Sequence, residues 1–240
     1  MTLARVVLFA FAAAIGSGLF SSPLRADTWD LASSFPTTAG GNVLTPTHRW
    51  VLGRYTNGLD PTSFVPFASL DTTTIPGVAI WRNATGPIDP NISMNTTGST
   101  ITGSGITWDP NHVVLGPYLG PTVARWVAPA DTLYNISGSV TTVQSGNSAP
   151  NLYFYINQNL LPGGAVPAYP AATPFGIQNV MLPVGTTFDI VVFGNNSDNK
   201  STWVSATITA PSLATVPEPA SAFVFAIAVF GAAAVRRRNA

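Results

Sequence analysis

The chain has 240 residues, of which only 8% are charged, with a single Glu (Glu218), a single Lys (Lys200) and no Cys. Soluble domains average about a quarter charged residues, and a chain so poor in Glu and Lys lacks the side chains that coat the exposed faces of long helices, while one without Cys can build neither disulfides nor thiolate metal sites. Formal net charge is zero, but with the two ends set aside the cations Arg49, Arg54, Arg82, Arg125 and Lys200 face nine Asp between Asp27 and Asp198, a mildly acidic balance without the basic stripe that nucleic-acid binding needs.

The chain opens with Arg5, an apolar run over 6–15, the small residues Gly16-Ser17-Gly18, and a polar stretch closing on Leu24-Arg25-Ala26. A positive start, a short apolar core and a small residue at the cut are the three parts of a secretory signal. The pattern predicts a signal helix over 1–26, cleaved after Ala26. A buried N-terminal helix would instead show polar positions on an outer face.

Residues 27–215 show no apolar stripe of helical period. The spacing predicts strands over 50–55, 64–67, 78–81, 99–107 and 113–115, with turns at Asp60-Pro61, Asp89-Pro90 and Asp109-Pro110. Alternation of period two is clearest further on. Tyr134, Ile136 and Val140 oppose Asn135, Ser137, Ser139 and Thr141; Leu152, Phe154 and Ile156 oppose Tyr153 and Tyr155. Phe188, Ile190 and Val192 alternate with Asp189, Val191 and Phe193, and Val204, Ala206 and Ile208 with Trp203, Ser205, Thr207 and Thr209. Asn157-Gln158-Asn159, Pro183-Val184-Gly185 between strands over 180–182 and 187–193, and the run 194–199 supply the turns. Short strands so punctuated predict an all-β fold, one antiparallel β-sandwich in which strands from 113 onward pair with earlier ones.

Trp50, Trp81-Arg82-Asn83, the segments 112–117 and 124–129, an Ile-Ser-Gly-Ser-Val strand over 136–140 and a closing strand over 203–209 follow one another in order. This series resembles the jelly-roll domain often carried by PEP-CTERM proteins, which is itself similar to carbohydrate-binding modules. The family pattern reads His-Pro-Gly and then Arg-Trp-Thr-Ala-Pro. Here Gly116-Pro117-Tyr118-Leu119-Gly120 stands in place of the first part and Val127 in place of the Thr. The resemblance spans 48–209 and implies a jelly-roll-like sandwich.

At the C-terminus, Pro217-Glu218-Pro219 precedes an uncharged run over 220–235, and Arg236-Arg237-Arg238 comes directly after it. The run is short of the ~20 residues of an ordinary span, but it can cross with local thinning and snorkelling arginines. Arginines bordering such a run stay cytoplasmic, which agrees with a body sent outward by the leader. The three parts in this order, over 216–240, resemble the PEP-CTERM sorting signal of Gram-negative bacteria. That resemblance implies recognition by an exosortase, a membrane-embedded peptidase, with Pro217, Glu218, Pro219, Arg236, Arg237 and Arg238 as substrate determinants. It also implies transient anchoring in the inner membrane by the C-terminal helix, then delivery to the cell surface or the extracellular polymer matrix. A plain tail anchor is the other reading of the same segment.

The body holds little that reads as chemistry. His48 and His112 are its only histidines; His112 with Asp109 could be drawn into a Ser-His-Asp triad, but no Gly-x-Ser-x-Gly elbow is present, and both read as strand-edge residues. Without Glu, an acid–base pair for glycoside hydrolysis must be Asp–Asp, and most Asp sit in turns. Asn195 and Asp198 form a weak calcium candidate in a run that reads better as a hairpin turn. Among Trp29, Trp50, Trp81, Trp108, Trp126 and Trp203, core positions are the default, and Trp108, beside Asp109-Pro110, is the first candidate for an exposed sugar-stacking face. The expectation is a non-enzymatic, exported protein with a structural or adhesive role and no cofactor. The alternative is a module that binds extracellular polysaccharide, and behind it stands a secreted hydrolase.

Overall fold

The computed structural model describes residues 27–83, 89–103, 105–110, 112–143, 150–165, 171–194 and 201–210. Ala26, Asn195, Asp198, Pro217, Glu218, Pro219 and Arg236 to Arg238 lie outside the described residues, as do the signal and membrane helices expected at the two ends. Among the described residues no helix is long and apolar enough to cross a membrane.

Among the described residues, the regular structure of the unit Thr28–Ala210 consists of strands and one short 3-10 turn. In chain order they are β1 (Asp27–Asp30), β2 (Trp50–Tyr55), β3 (Phe64–Pro66), β4 (Ser69–Asp71), β5 (Val78–Arg82), β6 (Asn91–Asn95), β7 (Ile101–Gly103) and β8 (Ile106–Trp108). Then follow β9 (Val113–Gly116), β10 (Thr122–Val127), β11 (Thr132–Thr142), β12 (Asn151–Ile156), β13 (Asn159–Ala165), β14 (Thr173–Leu182), β15 (Thr187–Phe193) and β16 (Thr202–Ala210). A large sheet runs β14-β11-β16-β9-β6-β5-β4, with β1 also paired to β16; a small sheet runs β13-β12-β15-β10-β2-β3; β7 and β8 form a separate hairpin. Every pairing whose register is resolved is antiparallel.

The two sheets close on one core because their apolar residues recur at every second position. The small sheet contributes Trp50, Leu52, Ala124, Trp126, Leu152, Phe154, Phe188, Ile190 and Val192; the large sheet answers with Tyr134, Ile136, Val140, Val204, Ala206, Ile208, Leu115 and Trp81. Each large side chain so buried stabilises the fold by about 1.5–3 kcal/mol. The expected pairing of late with early strands is present: β9 lies between β16 and β6, and β10 between β15 and β2.

Three local expectations need correction. The single strand over 99–107 is a hairpin, because Gly105 turns the chain at φ 75°. Residues 180–182 are only the end of the ten-residue β14, whose first half contains Pro174 and Gly176 and so reads as loop. The stretch Asn159–Ala165, read in part as turn, is strand β13. Pairing to an edge supplies the hydrogen bonds there that local propensity does not predict.

Candidate functional site

On the outer face of the small sheet, β10 and β15 pair so that Arg125 stands opposite Asp189. The guanidinium grips the carboxylate with two bonds, Nε to Oδ1 at 2.7 Å and Nη2 to Oδ2 at 2.7 Å. Asp189 is fully buried, and the Tyr55 hydroxyl donates to its Oδ2 at 2.6 Å. A buried carboxylate persists here because three charge-assisted bonds replace its water.

A strap over 56–63 closes this cluster from outside. Arg125 Nη2 donates to the Pro61 carbonyl at 3.0 Å, and the Tyr155 hydroxyl to that of Leu59 at 3.2 Å. Asp60 caps the short 3-10 turn Pro61–Ser63 by accepting the Thr62 amide at 2.9 Å. The Arg125 guanidinium also lies 4.0 Å from the Phe64 ring centre. Phe64 can take that position because residue 53 is Gly: a Cβ there would come within 2.7 Å of the ring and 2.4 Å of the Val65 carbonyl. Burial, and after it the charge of Asp189, pushes the Tyr55 phenol far above its usual range. Burial works against the Arg125 charge, but Asp189 outweighs it and raises the guanidinium further, so Arg125 is a fixed cation.

Beside Arg125 the same face opens into a groove of about 730 Å³. Val51, Val127 and Thr187 line it from the strands, with Phe64 and Pro66 from β3. Its rim carries Val43 and Leu44, large apolar side chains that remain 53% and 47% exposed. The rim loop has no regular structure of its own and is tied down by buried Asn42. That amide donates to the carbonyls of Leu52 (2.7 Å) and Phe67 (2.9 Å) and accepts from the Leu52 amide (2.7 Å). The result is an apolar trough with one immobilised guanidinium, within the size range of ligand sites.

The outer face of the large sheet is finished differently. The β7–β8 hairpin lies over Val78, Ile80, Val114 and Trp203, forming a second apolar cluster. Trp108 belongs to this lid and is only 2% exposed, its indole N–H donating to the Ser93 hydroxyl at 2.9 Å. Trp108 is therefore no stacking platform, because the hairpin that carries it folds back onto the sheet. Trp50, Trp81, Trp126 and Trp203 are buried as well.

The histidines take no catalytic geometry. His112 meets Asp109 through the backbone, amide to carbonyl at 3.4 Å, and its ring stacks on Trp203 at 5.4 Å. The Asp109 carboxylate accepts instead from the Thr100 hydroxyl at 2.7 Å. Burial lowers the pKa of His48, an effect partly countered by a hydrogen bond with the Trp50 backbone. Asp71 pairs with Arg82 and accepts from Thr73 and Thr74; burial opposes its charge, but those hydroxyl and amide donors win and hold its carboxyl far below the usual range. Among the described residues no cluster of three or more acidic or histidine side chains could hold a metal ion.

No protein-family model matches the sequence, and no curated protein matches it. Solved structures similar in fold include a family 61 carbohydrate-binding module in complex with β-1,4-galactotriose (9% identity, 68% of this chain and 88% of that one, TM-score 0.33). Others are the K1 cleaved adhesin domain of Lys-gingipain from Porphyromonas gingivalis (10% identity, 68% and 98%, TM-score 0.38) and a xylan-binding domain from Paenibacillus barcinonensis (10% identity, 68% and 93%, TM-score 0.29). Likeness at this level concerns the strand architecture and says nothing of which surface works.

Proposed function

We propose that this chain is an exported, non-enzymatic binding module of the extracellular polymer matrix, and that it takes a polysaccharide strand in the groove on the outer face of the small sheet. The groove itself carries the reading. Its apolar walls suit the C–H faces of sugar rings, and Arg125, clamped by Asp189, offers hydroxyl groups a donor that needs no further ordering. The exposed Val43 and Leu44 give the rim a reason to be covered. The engagement of Asp189 by Arg125 and Tyr55, and of Asp71 by Arg82, supports a binding role over acid–base chemistry, since these carboxylates are already committed.

In this reading the N-terminal 26 residues direct export, and Pro217, Glu218 and Pro219 with Arg236 to Arg238 direct exosortase sorting. Affinity electrophoresis of the full chain in gels containing single polysaccharides tests the groove. Val43→Glu and Leu44→Glu, both at exposed rim positions, are expected to leave the thermal midpoint unchanged and weaken retention at least about tenfold, some 1.4 kcal/mol. Retention equal to wild type in both variants removes the groove as the site. For sorting, mass spectrometry of the native protein is expected to find mature chains lacking Arg236 to Arg238, and Pro217→Ala with Pro219→Ala to leave uncut precursor in the inner membrane. A mature form that keeps the three arginines rejects sorting.

A further inference from the structure

The large sheet carries a second cavity of about 690 Å³ on its outer side, and its chemistry is unlike that of the groove. Asp30, Ser33, Thr37, Asn95, His112 and Ser205 line it. Asn95 is buried and held at both ends of its amide: Nδ2 donates to the carbonyls of Ser99 (2.7 Å) and Trp108 (2.9 Å), and Oδ1 accepts from Thr97 (2.8 Å). The His112 ring is fixed by its stack on Trp203. These walls are therefore rigid. Asp30 accepts from the Ser33 amide at 2.8 Å and the Thr207 hydroxyl at 3.1 Å, which orients its carboxylate. The hydroxyls of Thr37 and Ser205 form no side-chain hydrogen bond among the described residues and so keep one donor and two acceptor positions each for a ligand.

From Ser205 the polar surface continues along the sheet. The cross-strand pairs Ser139 with Ser205, Ser137 with Thr207 and Asn135 with Thr209 place hydroxyl and amide groups side by side in three successive rows on the face away from the core. Rows on one face of a strand recur about every 7 Å, so the cavity is the deep end of a hydroxyl-lined track. Among the described residues no Lys or Arg lines the cavity, and Asp30 disfavours an anion. Met94 and Pro110 add apolar contact beside the donors and acceptors. A ligand matching this surface is uncharged, rich in hydroxyls and extended.

We infer that the cavity beside Ser205 binds a strand of neutral polysaccharide, and that one molecule thereby bridges two strands through its opposite faces. The bridging half of this inference rests on the groove reading above; the binding half stands on the cavity alone. A bivalent molecule links polymer chains into a network without any oligomer forming, because occupancy of one face raises the effective concentration of polymer near the other.

The test uses the full chain with three soluble neutral probes, hydroxyethylcellulose, galactomannan and arabinoxylan, and polygalacturonate as an anionic one. Retention in affinity gels reads binding, and light scattering of dilute polymer reads bridging. Ser205→Arg blocks the cavity, Thr37→Arg does so from a loop should the first variant fail to fold, and Val43→Glu blocks the groove. The expected result is that the wild type binds a neutral probe and raises scattering. Each single-face variant should keep binding, about tenfold weaker or somewhat more, but lose the scattering; the double variant should lose both, and polygalacturonate should not be retained by Val43→Glu. If Val43→Glu loses all retention, or if the cavity variants scatter like the wild type, the cavity proposal is overturned and the groove reading stands. If the cavity variants lose all retention while Val43→Glu behaves as wild type, the groove reading falls and only the bridging claim goes with it. A wild type that binds none of the neutral probes overturns both.

Discussion

The two outer faces of the sandwich solve one problem by opposite means. Each sheet needs a second layer over part of its outer surface. The large sheet obtains one by laying the β7–β8 hairpin on Val78, Ile80, Val114 and Trp203, an apolar cluster pinned by neutral bonds from the Trp108 indole to Ser93 and from the Trp203 indole to the Thr107 carbonyl. The small sheet obtains one by latching the strap 56–63 to Arg125, which grips buried Asp189, the acceptor of the Tyr55 hydroxyl. An apolar lid degrades gradually as groups are trimmed, because its free energy is a sum over contacts. A charged latch fails as a unit, because removing one partner strands a buried charge.

Mutations can break this contrast. Arg125→Met leaves the Asp189 carboxylate in the interior without its counter-ion and is expected to cost about 3–5 kcal/mol in urea unfolding. A loss below about 1 kcal/mol would mean that water reaches Asp189. Trp108→Phe leaves a small cavity where the indole stood and removes the bond to the buried Ser93 hydroxyl, so about 2–3 kcal/mol is expected on the other face. Replacing the whole latch at once, with Tyr55→Phe, Arg125→Met and Asp189→Leu, should return stability to within about 1 kcal/mol of the wild type, since no polar group is then stranded. A triple variant as unstable as Arg125→Met alone would show that the network is worth more than its avoided penalties.

The gentlest probe is alkali. Folding makes Tyr55 hold its proton more tightly, through burial first and then the charge of Asp189. Its contribution is whole below pH about 10, where the tyrosine of the unfolded chain is also protonated, and declines as pH climbs beyond that value. Tyr155 shifts in the same direction, by burial and then by the charges of Tyr153 and Asp189. Amide exchange between pH 9 and 11 should therefore accelerate at the strap before the β7–β8 hairpin, whose apolar cluster contains no ionisable side chain. Simultaneous acceleration of both would remove the distinction.

The residues differ in how much of this they declared beforehand. Strands β11, β12 and β16 are readable because one face of each is more buried than the other, so hydrophobicity alternates. β2, β5, β9 and β15 are buried on both faces and show instead as short apolar runs bounded by turn residues. β13 and the first half of β14 contain Pro and Gly and owe their state to an adjacent strand, a cause invisible in a local window. Trp108 misled because its neighbours Asp109-Pro110 mark a turn correctly, while the hairpin carrying the indole bends inward. The latch was hidden for another reason: Arg125 and Asp189 lie 64 residues apart. Its one local sign was an aspartate in the middle of the apolar strand Thr187–Phe193. The groove has no sequence signature, because its floor comes from β2, β3, β10 and β15 and its rim from an irregular loop pinned by Asn42.

The position of β16 has a consequence for synthesis. It is the last strand among the described residues, yet it sits inside the large sheet, joining β11 to β9. A nascent chain halted before residue 202 holds β14-β11 and β9-β6-β5-β4 as two ribbons with nothing to zip them together. Side chains such as Ile136 and Leu115 then have no finished interior to enter. The large sheet is therefore completed only when residues 202–210 become available.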